Sequence, residues 1–140
     1  SHVNIIYRLP SKIYIFGGRN DNDYLESAEL FDTSEGFWVT LPRMQMRHCF
    51  HASILVDDKI FTLGGHSGQN TISRGEALHI PTHAWEALPA MVCGRGGHSV
   101  AALDGRIVVV GGAGDDRNHS AEEFEFTSSQ WSLLPPMRGA

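Results

Sequence analysis

The sequence predicts an all-β fold made of three four-stranded antiparallel units. A short apolar run that ends on two glycines occurs three times, and consecutive copies start 47 residues apart. The three runs, with their glycines, lie at residues 12–18, 59–65 and 106–112. A fixed period of this length is the signature of a repeat architecture, in which each repeat forms one structural unit.

Further residues recur in register with the glycine pairs. Each copy continues with a glutamate, a tryptophan nine residues later, and then Leu-Pro-x-Met. A histidine also stands thirteen residues before two of the pairs, at His51 and His98. The recurring glycines, glutamates and tryptophans are Gly17, Gly18, Gly64, Gly65, Gly111, Gly112, Glu29, Glu76, Glu122, Trp38, Trp85 and Trp131.

Each repeat is predicted to contain four strands. The second strand is the run before the glycines, and its nearly continuous apolar character is typical of a strand buried on both faces. A two-residue polar link such as Asp57-Asp58 joins it to the first strand as a hairpin. The predicted strands are 3–9, 12–16, 27–32 and 36–41, then 52–56, 59–63, 75–80 and 84–88, then 99–103, 106–110, 121–126 and 129–133.

The recurring residues have expected structural roles. The glycine pairs allow backbone angles that other residues avoid, and they leave no side chain where sheets approach closely. Each tryptophan supplies a large apolar surface between neighbouring units, with an N–H that needs an acceptor. Each glutamate is expected to be paired or hydrogen-bonded, because an unpaired buried carboxylate is costly.

This combination of apolar run, Gly-Gly, glutamate, tryptophan and Leu-Pro-x-Met resembles the kelch repeat, and the resemblance covers the whole chain. It implies that each repeat is one blade of a β-propeller, with blades at approximately 1–42, 43–89 and 90–140. The framework looks most like the kelch-like (BTB–kelch) adaptors. In those proteins an N-terminal domain binds a cullin scaffold and the propeller captures substrates for ubiquitination.

Three blades make half of a six-bladed ring. Closed propellers use roughly four to eight blades, and an isolated wedge would expose an apolar blade face at each end. Two alternatives follow from this arithmetic. The chain is expected either to be a segment of a longer propeller, or to pair head to tail with a second copy as a homodimer.

Composition limits the partners. The net charge of −5 argues against nucleic acid and against an anionic membrane surface, and no apolar stretch is long enough to span a bilayer. Cys49 and Cys93 stand at non-equivalent places in their repeats and form no disulfide framework. A reducing, cytoplasmic location is therefore predicted.

The kelch resemblance implies that a protein partner binds one face, formed by the loops after the second strands and before the first strands. Basic loops in an acidic chain suit a short acidic peptide. Arg47 and Arg95 are expected to hold nearly equivalent places before a first strand, in a structural or a binding role. The candidate binding residues are Arg19, Asn20, Tyr24, Arg47, His48, His66, Gln69, Asn70, Arg95, Arg117, Asn118 and His119.

Neither a metal site nor a catalytic site is predicted, and no cofactor. His48 and His51 are three residues apart in a predicted strand region, so they point to opposite faces, and no histidine spacing matches a zinc motif. The alternative from another class is a sugar-processing kelch-fold enzyme, an oxidase or a mutarotase. The kelch-fold copper oxidase needs a tyrosine crosslinked to a cysteine, and no tyrosine here pairs with a cysteine in the sequence pattern.

Overall fold

The structure is a computed structural model that describes residues 6–113 and 120–138. Within these residues the regular secondary structure consists of β-strands alone, and the strands form three sheets. The first sheet contains β1 (Ile6–Leu9), β2 (Lys12–Phe16), β3 (Ala28–Asp32) and β4 (Phe37–Thr40). The second contains β5 (Ala52–Val56), β6 (Lys59–Leu63), β7 (Gly75–His79) and β8 (Ala84–Ala87). The third contains β9 (Ser99–Leu103), β10 (Arg106–Val110), β11 (Ala121–Glu125) and β12 (Gln130–Leu133).

Each sheet is an antiparallel meander in which consecutive strands are neighbours. The predicted fold of four-stranded antiparallel units is therefore confirmed over the described residues. The predicted strand ends lie within one residue of the observed ends, apart from the first strand. Its predicted residues 3–5 fall outside the described part of the chain.

The predicted two-residue hairpins join the first and second strand of each sheet. The strand ends pair directly across the link in all three sheets, as in Val56 opposite Lys59. One residue of each link has a left-handed backbone: φ is 62° at Ser11, 55° at Asp57 and 69° at Gly105. Left-handed angles are adopted most readily by glycine and by short polar residues, which explains why these residues occur there.

Two clusters of apolar side chains lie between successive sheets. The first junction, between the first and second sheets, is built on residues such as Tyr14, Phe16, Ile60 and Leu78. The second junction, between the second and third sheets, is built on residues such as Phe61, Leu63, Ile107 and Phe124. The first strands of neighbouring sheets also contact one another, so β1, β5 and β9 form the inner edge of the wedge.

The expectation that every second strand is buried on both faces holds only in the middle sheet. In β6 every residue after Lys59 is buried. In β10 buried residues alternate with more exposed ones, because only one face of the third sheet packs on another described sheet. Burial on both faces therefore depends on having two neighbouring sheets, which sequence alone does not show.

Candidate functional site

The glycine pairs hold the next repeat against the end of each second strand. Gly18 N–H donates to the carbonyl of His48 at 2.8 Å, and Gly65 N–H donates to the carbonyl of Arg95 at 2.6 Å. Gly64 has a φ of 64°, and a Cβ there would lie 2.7 Å from the Arg95 carbonyl oxygen. Both expected roles of the glycines are confirmed here, since the backbone is left-handed and the space is closed to a side chain.

Two of the recurring glutamates fix the segment that leads into each new sheet. Glu76 accepts the N–H groups of Gln45 and Met46 at 2.6 and 3.0 Å. Glu122 accepts those of Val92 and Cys93 at 2.6 and 3.1 Å. Both carboxylates are buried and paired as predicted. Glu29, their equivalent in the first sheet, is exposed.

His48 and Arg95 share one position of the repeat and complete the two carboxylate sites. Arg95 donates from Nε and Nη2 to Glu122 at 3.1 and 2.9 Å, and from Nη1 to the Gly111 carbonyl at 2.9 Å. His48 contacts the equivalent groups, with Nδ1 2.7 Å from the Gly64 carbonyl and Nε2 3.0 Å from Glu76. Both residues are almost fully buried, with Arg95 2% exposed and His48 0% exposed.

Arg47 and Arg95, which are expected at nearly equivalent places, lie one repeat position apart and have different surroundings. The 47-residue period relates Arg95 to His48, and it relates Arg47 to Gly94. Arg47 is exposed and pairs with Asp23 at 2.6 Å, whereas Arg95 is inside the second junction. Because His48 and Arg95 are enclosed, neither presents its side chain to a partner in solution, and their observed contacts are structural.

The tryptophans lie at the junctions as expected, with one exception. Trp85 donates its Nε1–H to the Pro42 carbonyl at 2.8 Å, and Trp131 donates to the Pro89 carbonyl at 2.9 Å. Each indole therefore bonds the Leu-Pro turn of the preceding sheet. Trp38 is 55% exposed and packs beside Phe31, with ring centroids 4.9 Å apart.

His51 and His98 are buried without hydrogen bonds to their ring nitrogens among the described residues. Burial lowers the pKa of His51 to about 3, and the nearby His48 and His98 add to this effect. Burial likewise lowers the pKa of His98 to about 4, with Arg95 adding to it. A Cβ on Gly64 would lie 2.9 Å from Cε1 of His98, so this ring fills the space that the glycine leaves. Both histidines are neutral packing groups at pH 7.

The candidate binding loops meet at one end of the sheets, because the strands alternate in direction. We call this end the loop face; it comprises loops 19–26 and 66–74 and the segments 43–49 and 90–96. Two contacts join its loops. The ring of Tyr24 lies 5.8 Å from that of His66, and the backbones of His66 and Cys49 exchange two hydrogen bonds of 2.7 and 3.0 Å.

The structure places the remaining candidates on this face or outside the described residues. Arg19, Asn20, Gln69 and Asn70 are exposed in the two loops. Tyr24 and Arg47 line a cleft of about 190 Å³ with Arg43 and Glu26. The loop that carries Arg117, Asn118 and His119 lies outside the described residues.

Arg74 is a loop-face residue that the sequence reasoning did not select. It is exposed, and it lines a cleft of about 520 Å³ whose walls include Met46 and Leu88. Arg43 and Arg47 have carboxylate partners at 3.4 and 2.6 Å, whereas Arg74 and Arg19 have none within the described residues. The position of Arg74 directly before a third strand was the available signal, because that end of the strand faces the loops.

The described residues contain neither a metal-binding cluster nor a membrane-spanning helix. No group of three or more histidine, cysteine, aspartate or glutamate side chains there is arranged to hold a metal ion. The same residues include no helix of the length and apolarity needed to cross a bilayer.

Comparison with known proteins gives one family. The family model for the KLHDC2/KLHL20/DRC7 Kelch-repeats domain matches residues 1–140. No curated protein matches the chain.

Proposed function

Because the chain belongs to the kelch-repeat family, we propose that its loop face binds a protein partner. Kelch-repeat domains are generally protein–protein interaction modules and are typically not enzymes. The observation that carries the proposal is the joined loop face itself. Its loops are tied by the Tyr24–His66 contact and by the His66–Cys49 backbone pair, so exposed polar side chains are presented on a preorganised surface.

The charges of this face favour an acidic peptide segment as the partner. Arg74 and Arg19 are exposed and have no carboxylate partner among the described residues. Guanidinium groups bind carboxylates in a bidentate manner and are enriched at energetically important interface positions. The 520 Å³ cleft beside Arg74 adds apolar wall from Met46 and Leu88, which suits a segment that combines acidic and apolar residues.

Peptide binding to the whole chain tests this proposal. A peptide library is displayed, the selected sequences are examined for acidic residues, and the affinity of one selected peptide is measured by calorimetry. Arg74→Ala and Arg19→Ala are each expected to weaken binding about tenfold, which corresponds to about 1.4 kcal/mol. Lys59→Ala is the charge-matched control, because Lys59 begins β6 at the opposite end of the sheet. Selection of basic peptides, or equal losses in all three variants, would contradict the proposal.

A ubiquitin-ligase adaptor role is the finer form of the same proposal. It is supported by the likeness of the repeat framework to the kelch-like adaptors, in which the propeller supplies substrate recognition. In this form, the acidic peptide is part of a protein that is ubiquitinated in cells, and its half-life lengthens when Arg74→Ala replaces the native chain. An unchanged half-life with weakened binding would remove the adaptor role and leave the binding role.

The two outer sheet faces are proposed as a second partner surface. They are suited to further kelch blades, supplied either by a second copy or by the rest of a longer protein. The support is that the first and third sheets each pack on only one described neighbour.

A further inference from the structure

An aromatic groove opens at the second junction, at the end of the sheets opposite the loop face. Two adjoining clefts of about 330 and 290 Å³ share Lys59, Phe61 and Phe126 in their walls. Phe126 follows β11 directly and is half-buried. Its ring centroid lies 5.6 Å from that of Phe61 and 5.7 Å from that of Phe124. We call these two clefts together the junction groove.

The charged side chains of the junction groove are specific to this junction. Three carboxylates and one ammonium group line it, and they belong to Asp57, Asp58, Glu86 and Lys59. The residues one 47-residue period before the three carboxylates carry no charge; they are Pro10, Ser11 and Val39. The acidic lining is therefore no part of the repeating framework that builds the sheets.

Two of these carboxylates have partners in their own sheet, and the third has none among the described residues. Glu86 pairs with Lys59 at 2.6 Å, and Asp58 lies 3.0 Å from Nε2 of His79. Asp57 is exposed. It lies in a two-residue hairpin link with a φ of 55°, and the strands pair directly on either side of that link. The rim of an apolar groove therefore holds an acidic group in a fixed turn, where it can pair with an incoming cation.

We infer that the junction groove binds a basic segment of a partner protein that carries one large apolar side chain. This side chain packs on Phe61 and Phe126, because buried aromatic contacts dominate the energy of many interfaces. A lysine or arginine beside it pairs with Asp57 at the rim. The junction groove therefore prefers the opposite charge from the loop face and lies at the other end of the sheets. The inference goes beyond the proposed function and does not rest on it.

Binding of three synthetic peptides to the whole chain tests the inference, with affinity at the groove taken from the amide shifts of residues 56–61 and 124–126 in nuclear magnetic resonance spectra. The first peptide is capped and has one phenylalanine with two lysines on each side. In the second peptide alanine replaces the phenylalanine, and in the third glutamate replaces every lysine. The first peptide is expected to bind the groove about fivefold more tightly than either of the others.

Three outcomes of the peptide series would overturn the inference. They are equal affinity of the three peptides at the groove, shifts confined to the loop face, and no shifts at millimolar peptide. If the same amides shift when the protein is concentrated without peptide, a second copy occupies the groove, and the inference is again overturned.

Single variants separate the junction groove from the loop face. Asp57→Asn is expected to weaken binding of the first peptide about threefold. Glu35→Gln is the matched control, because it removes an exposed carboxylate from the turn between β3 and β4, at the same end of the first sheet. Arg74→Ala should leave binding at the groove unchanged, so a failure of acidic peptides to bind the loop face would remove the proposed function alone. Equal losses in Asp57→Asn and Glu35→Gln would overturn the inference.

Phe126→Ala has the largest expected effect, a loss of about tenfold in affinity for the first peptide. A dispersed amide spectrum of this variant shows that the sheets remain folded. The peptide series and Asp57→Asn do not depend on the packing of Phe126, so they decide the inference even where this variant unfolds. Unchanged affinity in folded Phe126→Ala would overturn it.

Discussion

The two junctions share one backbone arrangement and differ in a pair of side chains. In the second junction Arg95 spans Glu122, the Gly111 carbonyl and Ser120, whose hydroxyl lies 2.7 Å from Nη2. In the first junction the shorter His48 spans only the equivalent carbonyl and carboxylate. The repeat counterpart of Ser120 there is Arg74, since the two carbonyls accept from Gly111 and Gly64 in the same way. The long Arg95 side chain of the second junction therefore occurs with the small Ser120 just before the third strand. In the first junction the shorter His48 occurs with the long Arg74 at the same position.

This difference shows that the residue type at a repeat position depends on the groups that its side chain contacts, as well as on its place in the 47-residue period. Arginine remains protonated under all ordinary conditions, whereas histidine can release its proton. Removing the carboxylate therefore leaves the buried Arg95 guanidinium unpaired in the second junction, whereas the first junction holds an imidazole in place of a guanidinium. The two sites should differ most when their glutamates are removed.

The largest expected effect is that of Glu122→Ala. It leaves the Arg95 guanidinium buried without its carboxylate, so we expect the free energy of unfolding to fall by about 3–5 kcal/mol. Glu76→Ala leaves two backbone N–H groups unsatisfied but no guanidinium, so a loss of about 1–3 kcal/mol is expected. Urea unfolding followed by tryptophan fluorescence measures both. Glu29→Ala is the control, expected within about 0.5 kcal/mol because Glu29 is exposed; equal losses at Glu76 and Glu122 would contradict the comparison.

Acid should weaken both junctions through their buried histidines. The pKa of His51 is lowered to about 3 and that of His98 to about 4, below the ordinary value of about 6.5. The unfolded chain therefore binds more protons than the folded chain between pH 6.5 and these values, and stability falls as the pH falls through this window. Lowering the pH from 7 to 5 is expected to remove about 2 kcal/mol for each histidine.

Single replacements assign that acid loss to each junction. His51→Gln and His98→Gln should each reduce the difference in urea midpoint between pH 7 and pH 5, whatever they do to stability at pH 7. His83→Gln is the control, since this residue lies in the turn between β7 and β8. A pH difference that persists unchanged in both variants would show that other groups carry it.

The paired exchange at the first junction has a smaller expected effect. His48→Arg brings a second guanidinium close to the backbone of Arg74, the repeat counterpart of Ser120, and we expect a loss of about 1–2 kcal/mol from overpacking and repulsion. Adding Arg74→Ser restores the arrangement of the second junction. A double-mutant cycle by urea unfolding should therefore give a favourable coupling of about 1 kcal/mol. Strict additivity would mean that the two side chains are independent.

The features that could be predicted from the sequence are those that depend on neighbouring residues. The strands, hairpins and glycine turns were predictable, because each depends on the residues of its own repeat and on their alternation. Arg47 and Arg95 lie one repeat position apart, because the period pairs Arg95 with His48, and this offset leaves Arg47 at the surface and Arg95 buried. The contacts of His48 with Glu76 and of Arg95 with Glu122 could not be predicted, since they depend on which segment packs against each third strand.

The smallest expected effect on stability comes from Arg47, the arginine that the period does not relate to Arg95. Its pair with Asp23 is short but exposed, so Arg47→Ala should change the free energy of unfolding by about 0.2–1 kcal/mol. Arg47 also lines a cleft at the loop face, so Arg47→Ala is expected to weaken the binding of an acidic peptide. Asp23→Asn is the matched variant, because it frees the guanidinium and should strengthen that binding. A stability loss as large as that of Glu122→Ala would show that Arg47 is also structural, and that the surface position of its side chain does not describe its role.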